Sequence, residues 1–296
     1  MRPLSTTFLI ERQSLPLPVP EKRCSCKTCF ARGHSWHYGA LMTESFKTPV
    51  NRAIILSAGQ GSRLLPLTAE MPKCMIDCSG RTLIEWQILM LAACGVTDIH
   101  VVTGFMTEVV EAELRRLERP GLTLTAHFNP FYKVADNLGS CWIVREVMEG
   151  DFLILNGDTL VSRPIVERVQ QGGAYPICVT VDVKDGYDSD DMKVERADGG
   201  KSERLVHIGK TLSAAQSNAE SIGFLAFRGE GGQLFRDTVE AVMRTSAGVE
   251  NWYLKVIDQI AATGKVGTVS IEGMEWGEVD FLNDVEVAER LTAGWE

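Results

Sequence analysis

The chain has 296 residues, 45% of them hydrophobic, with 30 Lys+Arg against 39 Asp+Glu and a formal net charge of −9. This is ordinary globular composition, which excludes a disordered or fibrous chain, and no apolar run approaches the ~18–20 residues of a membrane span. Net acidity argues against non-specific nucleic-acid binding, which needs a basic face. The expectation is therefore a soluble, cytoplasmic enzyme built on one large α/β domain.

The charge is uneven along the chain. Residues 1–50 hold seven Lys/Arg and three acids, with a Pro16-x-Pro18-x-Pro20 run and neither helical nor strand periodicity. They are expected to be an extension outside the fold, either a leader or sequence ahead of a start at Met42, and the basic, acid-poor character also suits a transit peptide. Cys24, Cys26 and Cys29, followed by His34 and His37, are candidate zinc ligands at short spacing, although no second clean Cys-x-x-Cys pair completes the pattern. The other five cysteines are scattered, as reduced thiols rather than a disulfide frame.

Organised sequence begins at Arg52. Ala53–Ser57 is a short apolar run, as in a buried parallel strand, and residues 58–63 (AGQGSR) follow as a loop. Leu83–Cys94 has helical length and composition, with Gly95 placed to stop it. Asp98–Thr103 is predicted as a strand, Thr107–Glu118 as an amphipathic helix ended by Pro120-Gly121, and Leu122–His127 as a strand. A helix is expected over Ser140–Met148, then a buried strand over Phe152–Asn156 that runs into Gly157-Asp158. Near the end, Trp276–Val279 is a short strand before Asp280, and Phe281–Leu291 begins a terminal helix. Strand alternating with helix argues for a doubly wound α/β sheet, whose ligands lie at the carboxyl ends of the strands.

The glycine loop falls at such an end. A dinucleotide fingerprint needs a third glycine at position 64, where Leu64 stands, and this loop carries no Gly-Lys-Ser/Thr of a P-loop. Its glycines Gly59 and Gly61 let backbone N–H groups approach phosphate oxygens. Arg63 and Lys73 add two positive charges suited to a polyphosphate under attack.

The stretch from Ala53 to Ile88 (AIILSAGQGSRLLPLTAEMPKCMIDCSGRTLIEWQI) resembles the sugar-1-phosphate and phosphocholine nucleotidyltransferases. Shorter likenesses are Asn129–Tyr132 with Asp136–Ser140, Leu155–Leu160 (LNGDTL), Met192–Val194, Ile208–Lys210, Glu220–Gly223 and Trp276–Asp280, so the resemblance covers residues 52–291. It implies a Rossmann-like mixed sheet of the nucleotide-diphospho-sugar transferase (GT-A-like) type, and the reaction NTP + R-phosphate → NDP-R + pyrophosphate with Mg²⁺. Arg63 and Lys73 are assigned to the triphosphate, and Leu56, Ala58, Gly59, Gly61, Ser62, Asn129, Asn137 and Gly157 to the nucleotide. Asp158 and Asp280 are assigned to Mg²⁺, which usually takes one or two carboxylates plus phosphate oxygens. Lys210 is the lysine expected to grip the acceptor phosphate, with Lys193 as the second candidate. The acceptor phosphate is already a nucleophile, so no Ser, Cys or His base is required; the chemistry is in-line positioning and charge stabilisation.

Asn129–Tyr132 with Asn137 and Ser140 is more similar to the phosphocholine cytidylyltransferase branch than to the hexose branch, whose acceptor lysine usually sits in Glu-Lys-Pro. CTP and a small amine-bearing phosphate or phosphonate are therefore the favoured substrates, with a hexose 1-phosphate as the alternative. Phe131, Tyr132, Trp142, Trp252, Tyr253 and Trp276 are candidates for an aromatic cage around a quaternary ammonium, although Trp142 reads as core. Asp188, Asp190 or Asp191 are alternatives for meeting an amine, in a run that otherwise reads as a solvated loop. A non-catalytic nucleotide-binding module is the reading from another class, and joint retention of Arg63, Lys73, Asp158 and Asp280 argues against it. The family is often oligomeric, and no exposed apolar stripe in the sequence decides that here.

Overall fold

Strand β1 (Arg52–Ser57) lies at the centre of a nine-stranded sheet. Its side chains alternate between two apolar layers: Ala53 and Ile55 join one, Ile54 the other. This computed structural model describes residues 48–295. The candidate zinc ligands lie outside that range.

The chain continues through short strands β2 (Asp77–Cys78) and β3 (Arg81–Thr82), helix α1 (Leu83–Ala93), β4 (Asp98–Thr103), α2 (Thr107–Leu117) and β5 (Thr123–Phe128). Then come α3 (Asn137–Ile143), β6 (Phe152–Asn156), β7 (Thr159–Val161), α4 (Arg163–Gln170), β8 (Ile177–Asp182), β9 (Lys193–Arg196) and β10 (Leu205–Ile208). The remainder is β11 (Ala219–Phe227), α5 (Glu230–Met243), α6 (Tyr253–Ala261), β12 (Val266–Ser270), β13 (Trp276–Glu278) and α7 (Leu282–Thr292). The sheet order is β10-β9-β11-β6-β1-β4-β5, with β8 also on β11 and β12 on β8. β6, β1, β4 and β5 run parallel, whereas β11 is antiparallel to β6, β8 and β9. Helices α1, α2, α4 and α7 cover one face and α3, α5 and α6 the other, so the sheet is doubly wound and mixed. No helix among the described residues is long and apolar enough to cross a membrane.

From β1 the chain winds outward to β4 and β5, then returns to the other side of β1 as β6. That reversal opens a crevice at the carboxyl ends of β1 and β6, where an α/β sheet offers its ligand site. Most predicted elements fall within one or two residues of their expected bounds. The third helix does not: it starts at Asn137 behind the N-cap position of Asp136 and stops at Ile143, with a separate 3-10 turn at Arg145–Val147. Gly139 in its first turns weakens the helical signal there, but a Cβ at that position would meet the Ala135 Cβ at 2.9 Å, so close packing demands the glycine. β11, nine residues long and buried throughout, is not evident from periodicity because both of its faces are apolar.

Candidate active site

The glycine loop leaves the end of β1 and is pinned at several points. Gly61 adopts φ +77°, a left-handed conformation, and a Cβ there would meet the Lys73 side chain at 3.0 Å. Its carbonyl accepts from the Leu64 N–H at 3.0 Å and from Thr68 Oγ1 at 2.8 Å, while buried Leu64 anchors the following turn in the core. Gly59 differs: a Cβ there would meet nothing within 4 Å, and the residue lines the cavity.

Asp158 lies at the turn between β6 and β7. The Gly157 N–H donates to the Leu56 carbonyl at 3.0 Å, and a Cβ at Gly157 would lie 2.5 Å from that oxygen, so only glycine lets the two strand ends close up. Buried Gln87 on α1 clamps the turn from behind, its Nε2 donating at 2.8 Å to both the Asn156 and Thr159 carbonyls. β13 pairs antiparallel with β7, setting Glu278 opposite Thr159, and the Val279 N–H donates to the Asp158 carbonyl at 3.1 Å. This pairing brings Asp280 beside Asp158. Asp284, in the first turn of α7, accepts from the backbone N–H groups of Asp280 and Phe281 and so holds the second carboxylate in place.

Between the two aspartates lies Lys73. Its Nζ donates to Asp158 Oδ2 at 2.9 Å and to Asp280 Oδ1 at 2.6 Å. Burial opposes the lysine charge, but the two carboxylates outweigh it and its pKa is raised. Burial likewise works to raise Asp280, yet Lys73, then Arg63 and Lys210, hold it below the ordinary carboxylate value. Arg63 lies 3.3 Å from Asp280 and its guanidinium stands over the Phe281 ring.

Two cavities meet at Arg63, Asp158 and Asp280. The first, about 600 Å³, is lined by Leu56, Gly59, Gly61, Ser62, Lys73 and Gly157 among others. A smaller recess of about 240 Å³ shares its wall and adds Ala58 and Asn137. The second cavity, about 590 Å³, holds Lys210, Trp252, Trp276, Glu220 and Glu278, and Asn137 lines it as well.

Two of the expected site residues face neither cavity. Asn129 is buried, its amide donating to Ser140 Oγ at 3.1 Å and its Oδ1 accepting from the Phe131 N–H at 2.9 Å, so both polar ends serve the turn leading to α3. Lys193 is also buried, its Nζ donating to the Lys210 carbonyl at 2.9 Å. It braces the backbone that presents Lys210. The aromatic candidates divide similarly. Trp252 and Trp276 line the second cavity, Tyr132 the first, and Phe131 with Trp142 an apolar hollow elsewhere. Tyr253 is fully buried, with its hydroxyl on Asn156 Oδ1.

Sequence reasoning assigned no role to Glu220, Glu278, Lys184 or Asn156, although the first, second and fourth stand inside stretches that carry the family resemblance. Glu220 forms an ion pair with Lys184 at 2.7 Å, and Lys184 also meets Asp191 at 2.9 Å. Burial pushes Glu220 up to about 6 despite the lysine. Glu278 stands at the cavity wall with its side chain open to solvent; the crowding of the cleft, then the charges of Asp158 and Asp280, raise its carboxyl.

Residues 52–189 match the family described as nucleotidyl transferase. A CTP:phosphoglutamine cytidylyltransferase of Campylobacter jejuni is 24% identical over 79% of this chain and 98% of its own length. A CMP-5'-(3-aminopropyl)phosphonate synthase of Streptomyces rubellomurinus is 26% identical over 80% of this chain but only 38% of its own, longer length. Among solved structures, an inositol-1-phosphate CTP transferase from T. maritima superposes with a TM-score of 0.69 at 20% identity, covering 85% of this chain and all of that one; this is a likeness of fold. The matched residues 52–189, just under half of the chain, and the relatives that extend the match over most of the rest make this chain a nucleotidyltransferase acting on phosphorylated substrates.

Proposed function

We propose that this enzyme joins CTP to a small amine-bearing phosphate or phosphonate, releasing pyrophosphate, with Mg²⁺. The observation that carries the acceptor assignment is the charge of the second cavity. Beyond Lys210 its wall holds Glu220, Asp188 and Asp191, three carboxylates against the single charge of Lys184, which pairs with Glu220 and Asp191. A phosphate held at Lys210 would thus extend a cationic group into a region of net negative charge bounded by Trp252 and Trp276, which suits an ammonium. The relatives support CTP, two of them carrying CTP or CMP in their names.

The residues fit a divalent cation. Asp158 Oδ1 is buried without a hydrogen-bond partner, and the Lys73 ammonium already lies between Asp158 and Asp280 as a cation would. These two carboxylates would hold Mg²⁺, with phosphate oxygens completing its shell. Bound there, the ion would neutralise charge on the triphosphate.

The chain's own side chains do the rest. Gly59 and its neighbours admit the nucleotide phosphates to the first cavity, where Arg63 and Lys73 face them. Lys210 orients the acceptor phosphate in the second. Because the cavities meet at Arg63, an acceptor oxygen can approach the α-phosphorus in line; the new P–O bond forms as the bond to pyrophosphate breaks, and the cations take up the charge on the leaving group. The test is pyrophosphate release with Mg²⁺, crossing four NTPs against phosphocholine, phosphoethanolamine, 2-aminoethylphosphonate, inositol 1-phosphate and hexose 1-phosphates. Release with CTP and an amine-bearing acceptor, lost in Asp158→Asn, is expected. Release with only a hexose 1-phosphate would overturn the acceptor assignment.

A further inference from the structure

Three of the cations that line the two cavities, Arg63, Lys73 and Lys210, are each paired with a carboxylate of the protein itself. Lys73 is held by Asp158 and Asp280, both fixed at strand ends. Arg63, which also lies 3.3 Å from Asp280, shares a further partner with Lys210: Asp190, on the loop between β8 and β9. Its Oδ2 accepts from Arg63 Nη1 at 3.4 Å and its Oδ1 from Lys210 Nζ at 3.2 Å. One carboxylate therefore spans the cation of the triphosphate cavity and the cation of the acceptor cavity, across the line where the new P–O bond must form.

We propose that Asp190 is an internal stand-in for substrate phosphate: it holds Arg63 and Lys210 in the ligand-free enzyme and gives them up when phosphates bind. Carboxylate and phosphate oxygens compete for the same N–H donors. Asp190 is the carboxylate built to leave, since its side chain is 61% exposed against 30% for Asp158 and 26% for Asp280. The loop beside it need not move. Asp191 stays anchored by Lys184 at 2.9 Å and by the Asp188 N–H at 2.7 Å, so rotation of one side chain suffices. Its departure leaves the site one positive charge richer as the phosphates arrive. Asp190 is a positioning residue, acting through Arg63 and Lys210, and the inference rests on reading those two as phosphate-binding cations.

The test compares the full chain with Asp190→Asn, and with Asp185→Asn as a control that removes one charge from an exposed position on the same loop. Calorimetric titration with CTP and with inorganic pyrophosphate requires no turnover. Exposed pairs of this kind are weak, so Asp190→Asn should tighten both ligands by roughly two- to fivefold, with a matching fall in KM and kcat within about twofold. Unchanged or weaker binding would overturn the inference. Equal tightening by Asp185→Asn would do so too, since the effect would then be the general field of the loop. Tighter CTP binding in a protein that turns over no acceptor would keep this inference and overturn the functional reading.

Discussion

Lys73→Met tests the centre of the site most directly. The substitution keeps the stem that packs on Gly61 and deletes the ammonium between Asp158 and Asp280. Losing one partner of a fully buried ion pair costs ~3–5 kcal/mol, and an exposed pair is worth under ~1 kcal/mol. Lys73 is 13% exposed but its partners are 30% and 26% exposed, which places the loss between those limits, at about 2 kcal/mol. For a chain of this size that lowers Tm by roughly 4–8 °C. Its pH dependence follows from the directions of the shifts. Lys73 is raised, so its contribution is complete below its unfolded pKa and is lost as pH rises through the folded value. Asp280 is depressed, so its contribution is present above its unfolded pKa and is lost as pH falls through the folded value. Thermal melts in EDTA should therefore separate the two proteins most at neutral pH and draw together in acid. Added Mg²⁺ should stabilise the variant more than the wild type, because its two carboxylates face each other without a cation. Turnover should fall by about 10²–10³. Equal melting temperatures at pH 7, or a gap that does not narrow in acid, would refute the reasoning.

Gly59→Ala meets no protein atom, so its Tm should stay within about 1 °C while its KM for CTP rises at least tenfold, through steric conflict with phosphates that need about 1.4 kcal/mol or more of lost contact. A loss of Tm with unchanged KM would show that the loop does not face the nucleotide. Glu220→Gln should raise KM for an amine-bearing acceptor several-fold and leave KM for CTP alone. Because Glu220 is raised to about 6, wild-type acceptor affinity should strengthen as pH rises through that value and the carboxyl ionises. The second ionisation of the acceptor phosphate also falls at about 6, so the step should shrink in the variant, and a step of unchanged size would assign it wholly to the phosphate.

The parallel half of the fold was legible from the chain because β1, β4 and β6 are buried apolar runs, β5 alternates, and helices α1 and α2 end at recognisable stops; local pattern suffices where local physics decides. The same holds for the glycine loop: Gly59 and Gly61 beside Arg63 and Lys73 lie within fifteen residues, and their chemistry can be read without a fold. Asn129 and Lys193 show the limit. Each is a polar residue in a stretch similar to known enzymes, and only the packing tells whether its polar atoms meet a ligand or a neighbouring backbone. Glu220 and Lys184 were silent for the same reason, since nothing in the order of residues indicates that a β11 carboxylate and a loop ammonium share a cavity wall. By itself the sequence determined the class of chemistry, a cationic glycine loop and two separated aspartates suited to nucleotidyl transfer. Only the tertiary structure decided which charges stand together: the β7–β13 pairing joins Asp158 to Asp280, and that contact depends on long-range backbone hydrogen bonds that no local segment encodes.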